Sequence, residues 1–187
     1  MKQMAGIAGF VIVILMFVGC QEANKGVDVV VLENGQFPKE LAGTWQSDNY
    51  GWEFVIEPNG RISSVVVALG QVRIEPGKHN VVPVREVYKD IYDTGQWHVQ
   101  YTPSSRDLMI EVVIKKLDLS FGGASKLKGS LREVFVGNVS EDFSEWNPTW
   151  ISFPDYTVYT PEPSKLPVDP NDTLTEMVFT KVPAKAN

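Results

Sequence analysis

The side chains able to do chemistry are few and widely spaced. Cys20 is the single cysteine of the 187-residue chain, and His79 and His98 are its only histidines. Disulfides need cysteines in pairs, and structural zinc takes four closely spaced Cys or His ligands, so no metal and no cofactor are expected. His98 falls on the polar parity of its segment, between Trp97 and Val99, and His79 follows Pro76, Gly77 and Lys78 in a turn. Both read as solvated. The chain has no G-x-S-x-G elbow to hold a nucleophilic serine. Gly122, Gly123, Ala124 and Ser125 lack the G-K-[ST] ending and the helix of a phosphate loop, so they read as a strand connection. Carboxylates are plentiful at Glu53, Glu111, Glu133, Glu141, Asp142 and Glu145. A glycoside hydrolase needs two of them facing each other across a cleft, whereas solvated strand faces account for all six. No catalytic constellation emerges, and the chain is not expected to be an enzyme.

The aromatic residues say more. Trp52, Trp97 and Tyr101 sit on the apolar parity of their segments, with Trp146 and Trp150 further on. One reading is core packing, since each buried aromatic removes about 150–250 Å² from water. The other is a set of aromatics at the mouth of a barrel, with Trp52, Trp97 and Tyr101 holding a small apolar or carbohydrate ligand.

Strands must position these side chains. Trp52, Phe54 and Ile56 alternate with Glu53 and Glu57, and Trp97, Val99 and Tyr101 alternate with His98, Gln100 and Thr102. Asn59-Gly60 between two such runs marks a hairpin, because both residues tolerate positive φ. Thr102, Pro103, Ser104 and Ser105 mark a second turn. Leu108, Ile110, Val112 and Ile114 share one parity, while Leu117, Leu119 and Phe121 share the other across Lys115 and Lys116. A phase change of this kind is the signature of a β-bulge. Val65, Val67 and Leu69 followed by Val72 and Ile74 predict the same device at Gly70. No amphipathic helix follows Cys20. The expected fold is an all-β antiparallel barrel of roughly eight to ten strands, with a β-sandwich as the alternative. The formal net charge of -6 and pI near 5.0 leave no basic face for nucleic acid.

The N-terminus carries an address. Lys2 precedes an apolar run over residues 7–18, which as a helix would rise about 18 Å against a hydrocarbon core of about 30 Å. That is the length of a signal-peptide core and not of a stable span. The run ends in Phe17, Val18, Gly19 and Cys20, which resembles the lipobox of bacterial lipoproteins, with Phe17 standing where Leu is usual. The resemblance implies cleavage after Gly19, thioether lipidation of Cys20 and acylation of the new terminus. Two or more acyl chains anchor stably where one does not, so the membrane is an expected partner through the lipid. Gln21 in place of Asp implies, in a Gram-negative envelope, outer-membrane sorting with the domain facing the periplasm.

Leu41, Ala42, Gly43, Thr44 and Trp45 open the first core strand and resemble the G-x-W signature of lipocalins and related avidin-type barrels. There the glycine admits a tight entry and the tryptophan plugs the closed end, which are the roles implied for Gly43 and Trp45. Asp155, Tyr156 and Tyr159 echo the lipocalin D-Y-x-x-Y motif, but Pro161 and Pro163 follow where that family continues as a strand. Lys181 is the basic residue nearest to the family's last-strand arginine. The expected organisation is a signal peptide over 1–19, a lipidated N-terminus and tether over 20–40 and an all-β domain over 41–187. The tether contains an apolar patch at 27–32 suited to an edge strand. A Pro-rich segment spans 154–170, and a closing strand is expected over 174–182. Two functions are expected of such a chain. The first is non-enzymatic binding of a small apolar ligand by a lipid-anchored, lipocalin-like barrel. The second is a structural or interaction lipoprotein with a filled barrel that binds another envelope component.

Overall fold

The computed structural model describes residues 26–68, 71–85, 88–120, 125–159 and 174–183, without the side chains of 84, 85 and 88. The leader, Cys20, Leu69, Gly70, Phe121, residues 122–124 and the Pro-rich stretch beyond Tyr159 lie outside the described residues, and so do the readings placed on them.

Alternation dictates an almost wholly β structure, with one 3-10 turn (Lys39–Leu41) and no α-helix among the described residues. The strands are β1 (Val27–Val31), β2 (Gly43–Ser47), β3 (Glu53–Ile56), β4 (Ile62–Val67), β5 (Val72–Ile74), β6 (His79–Arg85) and β7 (Tyr88–Thr94). They continue with β8 (Trp97–Thr102), β9 (Asp107–Ser120), β10 (Lys126–Val139), β11 (Glu145–Tyr159), β12 (Leu174–Glu176) and β13 (Phe179–Lys181). All belong to one sheet in the order β1-β8-β9-β10-β11-β13-β2-β3-β4-β5. The β6–β7 hairpin joins at β9, and β12 joins at β11. Every pairing is antiparallel except that of β1 with β8.

The all-β expectation holds, but the hydrogen-bonded ladder does not close into a barrel, nor does it divide into the two sheets of a sandwich. Its terminal strands are β1 and the three-residue β5, and no ladder joins them. The ends approach through connecting chain instead. A Cβ on Gly26 would lie 2.8 Å from the Pro76 carbonyl oxygen, so a side chain there would keep the two segments apart.

The long central strands follow their apolar patterns. β9 changes phase as expected: Ile114 and Leu117 are both buried, with exposed Lys115 and Lys116 between them. Its pairing with β10 shifts between Gly129↔Leu117 and Leu131↔Ile114, the register of a bulge. The second bulge, expected at Gly70, is a hairpin. Val65 pairs with Ile74 and Val67 with Val72, so the two apolar runs fold back on one another instead of continuing as one bent strand. The Asn59-Gly60 turn is present, with Gly60 at φ +84° and its N–H donating to the Glu57 carbonyl at 2.9 Å. β1 is the expected edge strand, and buried Val27 ties it to the core from within the stretch read as tether. The closing segment is two short strands, of which β13 links β11 to β2.

The sheet curls around an aromatic interior. Phe135 meets Trp52 at 5.0 Å and Phe54 at 5.1 Å between ring centroids, and Trp146 meets Phe179 at 5.0 Å. These contacts hold β3 against β10, β11 and β13 across the fold. Edge-to-face packing of this kind contributes roughly 0.5–1.5 kcal/mol per pair beyond burial alone.

Candidate functional site

Glu133 is the residue that breaks the pattern. On β10 the inward parity runs Leu127, Leu131, Glu133, Phe135 and Val139, so a carboxyl group occupies a core position. It is 3% exposed. The register places Ser152 of β11 and Val112 of β9 opposite it. The Trp150 indole N–H donates to its Oε2 at 2.7 Å, and the Ser152 side chain hydrogen-bonds it as well. Burial pushes the carboxyl up to about 7, against the lowering effect of those two hydrogen bonds.

Beside Glu133 lies a cavity of about 160 Å³. Its aliphatic wall is Val67, Ala68, Ile114, Leu117 and Leu131, and its aromatic wall is Trp52, Tyr92, Trp150 and Tyr156. The β9 bulge matters here, because it brings Ile114 and Leu117, three positions apart, into the same wall. Trp52 and Trp150 meet at 5.9 Å and 70°, forming a corner. Trp52 is held by reciprocal backbone contacts: its N–H donates to Ser47 Oγ at 2.9 Å, and its carbonyl accepts from the Ser47 N–H at 2.9 Å. Its indole Nε1 is buried without a hydrogen-bond partner. Burial, with Asp90 nearby, pushes the Tyr92 phenol up to about 12. Among the described residues of the lining, Glu133 is the only carboxylate, and none is a lysine, arginine or histidine.

Of the three aromatics proposed to hold ligand, only Trp52 reaches this cavity. Trp97 and Tyr101 are buried on β8, away from it. Trp97 Nε1 donates to the Val113 carbonyl at 3.2 Å, and Tyr101 packs edge-on against Phe37 at 5.9 Å. They do the work of core packing, because β8 lies at the β1 end of the sheet. Gly43 opens β2, and Trp45 follows it on the buried face. Trp45 is fully buried, its Nε1 donates to the Leu41 carbonyl at 2.9 Å, and Lys181 Nζ lies 6.0 Å over its ring. Gly43 has φ +138°, a backbone conformation that strains any other residue, and faces the Lys181 stem. His98 is half-exposed beside Asp28 at 3.5 Å, and His79 starts β6 instead of sitting within the turn.

The other carboxylates are accounted for at the surface. Glu111 pairs with Arg132 at 2.8 Å, Glu141 with Arg106 at 3.5 Å, and Glu53 with Arg73 and Gln46. Burial raises Glu53, but those Arg73 and Gln46 hydrogen bonds bring it below the ordinary carboxylate value. Asp142 accepts from Ser140 and Ser144 in the β10–β11 turn, which lowers it to about 2, and Glu145 is exposed. A wider cleft of about 880 Å³, bounded by Gly43, Asp142, Ser144 and Lys181, opens broadly to solvent. Asp142 and Ser144 bond one another there, and Lys181 bonds the Glu40 carbonyl.

Comparison of the chain with protein-family models, with curated proteins and with solved structures finds no match in any of the three.

Proposed function

We propose that this chain is a lipid-anchored cell-envelope protein whose β-domain binds one small, mainly apolar molecule in the cavity beside Glu133, without chemistry. The observation that carries the reading is the cavity itself, with an aromatic corner and one buried carboxyl in its wall. The volume matches a single compact molecule or the end of a longer one, since a cavity of about 150 Å³ accommodates benzene. The buried Trp45 of the G-x-W segment, capped by Lys181, supports a lipocalin-like ancestry for the curled sheet. The lipobox supports anchorage through Cys20 and, in a Gram-negative envelope, a place on the outer membrane facing the periplasm.

A filled interior favours the second reading, an interaction lipoprotein that binds another envelope component. Trp97, Tyr101, Phe135 and Trp146 are all buried in one core cluster. Native mass spectrometry of the full chain, released from its own membranes in mild detergent, separates the two. A small-molecule adduct that disappears in Ala68→Leu, which fills the cavity from its rim, supports binding. Wild-type protein free of any adduct favours the interaction reading.

A further inference from the structure

Resting on that ligand-binding reading, we infer that the ligand is a small organic ammonium ion, its charged end against Glu133 and its apolar body against Trp52 and Trp150. The argument starts from charge. Glu133 is withdrawn from water, is bonded to Trp150 and Ser152, and among the described residues shares its cavity with no cationic side chain. A buried carboxylate without a counter-charge is strongly disfavoured, and a cationic ligand supplies the missing charge. The walls act in the same direction. Aromatic faces carry the negative end of the ring quadrupole, and tryptophan is the strongest partner for a cation. Trp52 and Trp150 meet as a corner, and Tyr92 and Tyr156 add two more rings. The aliphatic wall formed by Val67, Leu117 and Leu131 then suits a short hydrocarbon body. The carboxylate therefore makes the cavity attractive to a cation, and the rings beside it suit the body that carries the charge.

The groups that line the cavity with Glu133 are Val67 on β4, Tyr92 on β7, Ile114 and Leu117 on β9, and Trp150, Ser152 and Tyr156 on β11, with Trp52 entering β3. The two phenols are the only other titratable groups among the described residues of the lining. Binding should therefore follow the ionisation of Glu133, whose carboxyl burial holds at about 7.

The test uses full-length protein in a non-ionic detergent and two probes of equal size, benzylammonium and benzyl alcohol, titrated calorimetrically. Benzylammonium should bind at least about tenfold more tightly near pH 8. In Glu133→Gln that preference should vanish while benzyl alcohol still binds, which also shows that the variant is folded. On the unmodified protein, benzylammonium affinity should fall about tenfold or more from pH 8 to pH 5.5, as protons compete for Glu133, while benzyl alcohol binding stays level. Equal or stronger binding of the alcohol, or an ammonium preference that survives Glu133→Gln or ignores pH, overturns the inference and leaves the ligand-binding reading standing. Binding of neither probe overturns both.

Discussion

The Glu133 carboxyl accepts a 2.7 Å hydrogen bond from the Trp150 indole N–H inside the curled sheet, one strand away and shielded from water. This contact fixes the carboxyl at the cavity wall and orients one ring of its aromatic corner. It also has a consequence for stability. Burial carries the folded-state carboxyl from 4.5 up to about 7, so the folded protein holds this proton more tightly than the unfolded chain does. The contribution is most favourable below about pH 4.5 and is lost as pH rises through about 7, amounting to about 3 kcal/mol. Urea unfolding of wild type and Glu133→Gln at pH 5 and pH 8 should show wild type losing ground to the variant at the higher pH. A stability gap that is the same at both values contradicts the assignment.

Trp52 and Trp146 are both buried, but they differ in one bond. Trp146 Nε1 donates to the Gly137 carbonyl at 3.2 Å, whereas Trp52 Nε1 has no partner. Replacing either by phenylalanine removes the same atoms. Trp52→Phe should therefore cost about 1 kcal/mol less than Trp146→Phe, the net value of one hydrogen bond. Denaturant midpoints at one pH check the difference, and equal costs would mean that the Trp52 N–H is satisfied in solution.

The β10–β11 pair needs a bare backbone at Gly137. A Cβ there would lie 2.1 Å from the Asn147 carbonyl oxygen, which is backbone and cannot rotate away. Gly137→Ala should separate the two longest paired strands and destabilise the protein by about 1–3 kcal/mol. An unchanged unfolding midpoint contradicts this close approach.

The proposed anchor makes a cellular prediction. With a lipidated Cys20, two or more acyl chains hold the protein on the membrane, each buried methylene contributing about 0.8 kcal/mol. Cys20→Ala should move the protein from the membrane fraction to the soluble fraction, as read by ultracentrifugation and immunoblotting. A variant that remains fully membrane-bound removes the lipid from the account.

Much of the fold was legible because alternation reports directly which face of a strand is inside. The burial of Trp97, Val99 and Tyr101 against solvated His98 and Gln100 follows from parity alone, and so does the bulge between Ile114 and Leu117. Local pattern could not distinguish a bulge from a hairpin at Gly70, because both let an apolar run resume in the other phase. It also could not foresee that the ladder would stop at β5, since closure depends on partners far apart in the chain. The site was half visible. Trp52 was found by its parity, but Trp97 and Tyr101 share that property without sharing the cavity, because parity gives the face and not the position around the sheet.

Glu133 is 3% exposed, which overturns its reading as one of six solvated carboxylates, and the sequence held a signal of this. It lies two residues from both Leu131 and Phe135, on the buried parity of β10. The neighbouring valines concealed it: Val134, Phe135 and Val136 form an apolar run on both parities, so the alternation that would expose an inward carboxyl is blurred at that point.

A crystal structure of the protein grown with saturating benzylammonium tests the central claim most directly. The account predicts discrete density in the 160 Å³ cavity, with the nitrogen beside the Glu133 carboxyl and the ring between Trp52 and Trp150. A cavity closed by its own side chains, or the amine found only in the open cleft beside Gly43 and Lys181, would contradict it.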